Sequence, residues 1–138
     1  MSAQEDIQSF ISNLLETYIG KFNSGDLPAA ASFYDEPAVV ISTEGVKLMP
    51  ARKDYVSMFT ETVARLRADG WNHSEFFSKS IVVLDEKGLV LASCPCKRLR
   101  ADGTTVEEFT ATYTLRKQGE GWLIASIHHH PYGTQLKS

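Results

Sequence analysis

Three consecutive histidines, His128, His129 and His130, close the stretch "WLIASIHHHPYG" that runs from Trp122 to Gly133. An imidazole can take a proton, donate a hydrogen bond or ligate a metal near neutral pH, so this run concentrates chemistry at one point of the chain. It continues an apolar stretch and is followed by Pro131 and Tyr132, which marks it as the end of a strand and not an appended tag. Side chains alternate along a strand, so His128 and His130 share one face and His129 takes the other. Two histidines two apart can chelate a metal, but a site needs further ligands. His73 and Glu75 would serve only if their strand bent suitably, and neither metal nor cofactor is expected. Histidines hydrogen-bonded within a pocket or packed at its rim are the expected role.

The partners of those histidines follow from turn chemistry. If Asp102 and Gly103 centre a tight turn, Cys96 faces Phe109, Cys94 faces Ala111 and Ala92 faces Tyr113. If Gly119 and Glu120 centre the next turn, Tyr113 faces Ser126, Ala111 faces His128 and Phe109 faces His130. One surface then carries Cys94, Cys96, Phe109, Ala111, Tyr113, Ile124, Ser126, His128 and His130. Apolar walls with a few polar heads suit a small-molecule pocket, so this is the expected concave face. His129 would point away from it with Leu123, Ala125 and Ile127. Arg98 and Glu107 face each other in the same register and read as an exposed cross-strand ion pair. Cys94 and Cys96 flank Pro95, a spacing without a disulfide framework, and read as small core thiols beside a proline bulge.

The elements that must position these residues are helical first and extended afterwards. Ile7, Phe10, Ile11, Leu14, Leu15, Tyr18, Ile19 and Phe22 form one helical stripe, with Ser2 and Glu5 as its capping box and Gly25 as its stop. Asp26 then caps a short helix over "LPAAASFY", and a brief strand follows at Ala38 to Ser42. Tyr55, Met58, Phe59, Thr62, Val63 and Leu66 recur at helical spacing from Pro50 to Ala68. The rest reads as four long strands, Trp71 to Leu84, Leu89 to Arg100, Thr104 to Lys117 and Trp122 to His130. Trp71 and Trp122 read as core aromatics.

The chain has 138 residues, 43% of them hydrophobic and 22% charged, which predicts a single domain over 1–138 with its own core. A formal charge of −3 and scattered basic residues argue against nucleic acid, and no apolar run is long enough for a bilayer span. The opening "MSAQEDIQSF" is acidic and polar, unlike a secretory leader, so the cytoplasm is the expected location.

Helices followed by a strand-rich meander predict an α+β domain with helices on one face of a curved sheet. That order, with the phrases "YIGKFNSGDLPAAASFY" and "GWLIASIHHH", resembles the NTF2-like superfamily in its SnoaL-like and ketosteroid-isomerase-like branch, over nearly the whole chain. The resemblance implies a cystatin-like cone, N-terminal helices packed on a strongly curved, mainly antiparallel sheet. It also implies pairing of two copies through the outer sheet face, so a homodimer is expected. Ketosteroid isomerase uses a helix-1 tyrosine toward an enolate, a carboxylate base at the end of the first strand and a protonated acid on a later strand. Tyr18 matches the tyrosine, but Ser42 stands where the base belongs and Tyr113 where the second acid belongs. A serine cannot replace that base unaided, which disfavours this isomerisation. Dehydratase-like members use a histidine with polarising tyrosines, which His128 or His130 could supply with Tyr18 and Tyr113.

The candidate catalytic residues are therefore Tyr18, Tyr113 and His128. Candidate ligand contacts are Ser42, Tyr55, Phe59, Cys94, Cys96, Phe109, Ala111, Ser126 and His130, around a small hydrophobic molecule. A cofactor-independent lyase or isomerase on a carbonyl compound is one reading. A non-catalytic ligand-binding or assembly module is the other, and for Tyr18 a simple packing role is the stronger expectation.

Overall fold

The computed structural model describes residues 2–136. Helix α1 spans Ala3–Asn23 and starts where expected, with the Glu5 amide donating to Ser2 Oγ at 3.1 Å. Its buried stripe is Ile11, Leu15, Tyr18 and Phe22. Gly25 ends the α1 region with φ of 82°, a left-handed value that favours glycine. Helix α2 is shorter than expected, Leu27–Ala31, and Asp26 caps it through the Ala29 amide. Helix α3, Arg52–Ala68, buries Tyr55, Phe59, Val63 and Leu66 at the expected period.

Among the described residues the strands are β1 (Tyr34–Ser42), β2 (Gly45–Met49), β3 (Trp71–Phe76), β4 (Ser80–Asp85), β5 (Leu89–Arg100), β6 (Thr105–Gln118) and β7 (Gly121–His130). These seven form one open, mainly antiparallel sheet in the order β2-β1-β7-β6-β5-β3, with β4 also pairing β5. Strand β1 runs parallel to β7. It starts four residues earlier than expected, taking Tyr34 from the tail assigned to the second helix. The short edge strand β2, four of whose five residues are exposed, has no counterpart among the expected elements. The long strand expected from Trp71 to Leu84 is broken in two, and both pieces pair with β5. Pro95 lies opposite the break, where its missing N–H leaves no donor for a continuous ladder. Its carbonyl instead accepts from Phe77 N at 2.9 Å. The expected bulge is not at Pro95, through which the β5–β6 register runs unbroken.

The β5–β6 hairpin has the expected register away from its turn, with Cys96 opposite Phe109, Cys94 opposite Ala111 and Ala92 opposite Tyr113, while a shift between Arg98 and Leu99 puts Leu99 opposite Thr105. The β6–β7 hairpin keeps its expected register only from the turn to Leu115 and Ile124. A bulge there leaves Ala125 unpaired, so Thr114 faces Ser126, Tyr113 faces Ile127, Thr112 faces His128 and Ala111 faces His129. One extra residue exchanges the two faces of everything beyond it. Ile127 and His129 consequently face the helices, while Ser126, His128 and His130 lie on the outer face.

The helices cover the concave face. Asn23, at the end of α1, grips the β3 edge through two 2.8 Å hydrogen bonds, Asn23 Nδ2 to Ser74 O and Ser74 N to Asn23 Oδ1. This satisfies backbone groups on an edge strand and fixes the tilt of α1, which carries Tyr18 and Phe22 over the sheet.

Candidate ligand-binding site

Between α1, α3 and the concave sheet lies a cavity of about 310 Å³, lined by Tyr18, Tyr34, Phe59, Phe76, Phe109 and Tyr113 among others. Five of these are inner-face aromatics set by helical or strand periodicity, and Tyr34 enters from the start of β1. The rings meet edge to face, Tyr18 with Tyr34 at 5.6 Å and Tyr18 with Tyr113 at 6.2 Å, the arrangement favoured by their quadrupoles. The hydroxyls of Tyr18 and Tyr34 are 2.7 Å apart. One donates to the other, which leaves one O–H of the pair free for a guest. Burial pushes Tyr18 up to about 12, opposed by the hydrogen bond with Tyr34. Burial, then neighbouring phenols, raises Tyr34 and Tyr113 well above the ordinary tyrosine value. All three are neutral hydrogen-bonding phenols at pH 7.

Charge enters at the mouth. Arg98 lies between Phe22 and Phe109, its guanidinium carbon 5.4 and 4.9 Å from the ring centroids. Arg98 Nε is 2.9 Å from Glu107 Oε1, and Arg65 reaches the same carboxylate at 3.3 Å. This is the pair expected to be an exposed surface ion pair. It lines the cavity instead, and Arg98 is only 8% exposed. His129 stacks on Phe109 at 4.8 Å and lines the same cavity. It keeps exposed surface at the mouth, yet the surrounding protein, then the positive charge of Arg98, pushes its imidazole down to about 4 against the pull of Glu107. The ring is neutral at pH 7.

The structure brings together Tyr18, Tyr113, Phe59, Cys96 and Phe109 from the expected set. Tyr55, Cys94 and Ala111 are fully buried in the core beneath the cavity and do not line it. Tyr55 stacks on Tyr34 at 3.9 Å. Burial pushes the Cys94 thiol up to about 12 and Cys96 to about 11, so both are protonated and unreactive. His128, His130, Ser126 and Ser42 are not in this cavity. Ser126 Oγ donates to Thr114 Oγ1 at 2.7 Å, and His130 Nε2 is 2.6 Å from Thr112 Oγ1, all on the outer face. Ser42, His128 and His130 line a broader outer groove of about 500 Å³ with Ile41, Leu91 and Leu136. His73 sits on β3, separated from β7 by β5 and β6, so it cannot join the terminal histidines. Among the described residues no three His, Cys, Asp or Glu side chains are grouped closely enough to hold a metal ion.

Tyr34, His129 and the Arg98–Glu107 pair are the site residues that pattern reading missed. For Tyr34 the signal was present, since the dipeptide Phe33–Tyr34 before Asp35–Glu36–Pro37 suits a strand start better than a helix end.

The chain belongs to the NTF2-like protein family (DUF6841), whose family model matches residues 4–132. No curated protein matches the sequence significantly. Solved structures share the fold at low identity. An NTF2-like protein with a cystatin-like fold from Novosphingobium aromaticivorans is 20% identical, with a TM-score of 0.70 over 88% of this chain and 79% of that one. An NTF2-like protein of unknown function from Pseudomonas putida KT2440 is 16% identical, with a TM-score of 0.73 over 91% and 87%. Aln2 from a Streptomyces species is 11% identical, with a TM-score of 0.73 over 91% of both chains. These likenesses concern the fold. The α+β, cystatin-like architecture expected from the sequence is the one found. Among the described residues no helix is long and apolar enough to cross a membrane.

Proposed function

We propose that this protein binds a small hydrophobic carbonyl compound in the cone between its helices and sheet. The observation that carries the reading is the aromatic cavity of about 310 Å³ with neutral phenols at its wall. Apolar walls supply burial, and a phenol held neutral by desolvation donates a hydrogen bond to a carbonyl oxygen. The Tyr18–Tyr34 pair and Tyr113 are those donors.

Binding without turnover is favoured over lyase or isomerase chemistry. Ser42 supplies no base and lies on the outer groove, His128 is outside the cone, and Glu107 is held by two arginines. Glu108 is paired with Lys97, and the low pKa of the neutral His129 imidazole makes it a weak base. The two readings separate on incubation with 1-indanone in deuterated buffer. Saturable binding without deuteration beside the carbonyl is expected of a binder. Deuteration faster than buffer, lost in Tyr113→Phe, would make the protein an enzyme.

We also infer a cytoplasmic homodimer formed through the outer face. Support comes from the apolar floor of the outer groove, Ile41, Leu91 and Leu136, and from exposed Val46 and Leu48 on edge strand β2. Light scattering on the eluting protein tests this, with twice the chain mass expected and the mass of a single chain counting against it.

A further inference from the structure

We propose that the cone recognises an anionic group, specifically the carboxylate of an aryl or alkyl acid, through Arg98. This deepens the reading of the cone as a ligand site and rests on it. Arg98 is only 8% exposed and lines the cavity, and its Nε has no hydrogen-bond partner among the described residues. Glu107 Oε1 lies 2.9 Å from that nitrogen, close enough for an ion pair but not aligned as an acceptor. Nε itself is closed off beside Glu107, so the donors left for a guest acceptor are those at the outer end of the guanidinium, on the cavity that Arg98 lines.

The charge count points to the same chemistry. Arg65 and Arg98 share the single carboxylate of Glu107. Glu108, also at the cavity, is paired with Lys97 at 3.9 Å, and His129 is neutral. Counting Lys97, which pairs Glu108 from outside the cavity, three cations meet the two carboxylates of Glu107 and Glu108, which leaves one positive charge in surplus around the mouth. Phe22 and Phe109 both pack against the guanidinium, which reduces the ordering cost of binding a planar carboxylate. The hydrocarbon part of the acid would extend inward toward Phe59, Tyr18 and Tyr113, with its charged end at the mouth.

The test compares 3-phenylpropionate with the neutral 3-phenylpropan-1-ol by titration calorimetry. Wild type is expected to bind the acid about tenfold or more tightly than the alcohol, as charge-assisted hydrogen bonds require. Arg98→Met should erase most of that preference. Glu107→Gln, which removes the competing carboxylate, should strengthen acid binding severalfold and gives a second reading if Arg98→Met does not fold. Equal affinity for acid and alcohol, a preference that survives Arg98→Met, or acid binding not strengthened by Glu107→Gln overturns the proposal and leaves the cone as a neutral-ligand site. If acid, alcohol and 1-indanone all fail to bind wild type, the cone is not a ligand site and the proposal falls with it.

Discussion

At the scale of single residues, the Tyr18–Tyr34 hydroxyl pair couples stability to the site. Tyr18→Phe leaves the fully buried Tyr34 hydroxyl without its partner, and an unsatisfied buried polar group costs about 1–3 kcal/mol. The expected outcome is a urea midpoint lowered accordingly, with Tyr18→Phe and Tyr34→Phe together costing less than the sum of the two. Additive losses would show that the hydroxyls act independently. His129 supplies a pH signature. Its folded pKa of about 4 lies below the unfolded value of 6.5, so between these the unfolded chain binds a proton that the folded chain does not. Stability from this group is present above pH 6.5 and lost as pH falls toward 4. His129→Gln should flatten that part of the stability profile, and the His129 ring signal in NMR should titrate near the folded value. Tyr18 acts at the other end, since a phenol raised from 10 to about 12 contributes stability that fades as pH rises through that interval.

At the scale of elements, the bulge in β7 decides which side chains meet the cone. Deleting Ala125 should join Ile124 to Ser126 in a regular ladder and keep every face beyond it, with Ile127 still opposite Tyr113 and His128 still opposite Thr112. Because no side chain changes face, the expected outcome is a folded variant with a urea midpoint close to that of wild type. Loss of folding, as expected if Ala125 were paired and its deletion turned His128 and Ser126 toward the helices, would contradict the register. The β5–β6 register is legible in the sequence because Asp102–Gly103 places the turn, and the shift beside it, between Arg98 and Leu99, leaves the pairing from Arg98 and Glu107 outward where a two-residue turn would put it. The β6–β7 register is legible only as far as Leu115 and Ile124. Nothing in "LIASIHHH" distinguishes a paired alanine from an unpaired one, so simple alternation puts the histidines on the wrong faces. The helices are legible because their apolar stripes repeat over several turns. The edge strand β2 and the break between β3 and β4 depend on tertiary pairing and on Pro95, which a periodic pattern does not reveal.

At the scale of the whole molecule, a curved sheet closed by α1 and α3 makes a cone whose floor is core and whose mouth is charged. The fully buried Tyr55, Cys94 and Ala111 lie beneath it, while Arg65, Arg98, Glu107 and His129 ring its opening. The outer face carries a second, hydroxyl- and histidine-bearing groove, so two surfaces of one sheet offer different chemistry. Of the two, the inner surface is the one we propose as the ligand site. Chemical-shift mapping of backbone amides during titration with 1-indanone tests it most directly. Perturbations grouped at Tyr18, Phe59, Arg98, Tyr113 and His129 are expected. Perturbations confined to Ser42, His128, His130 and Leu136 would place the site on the outer groove and contradict that assignment.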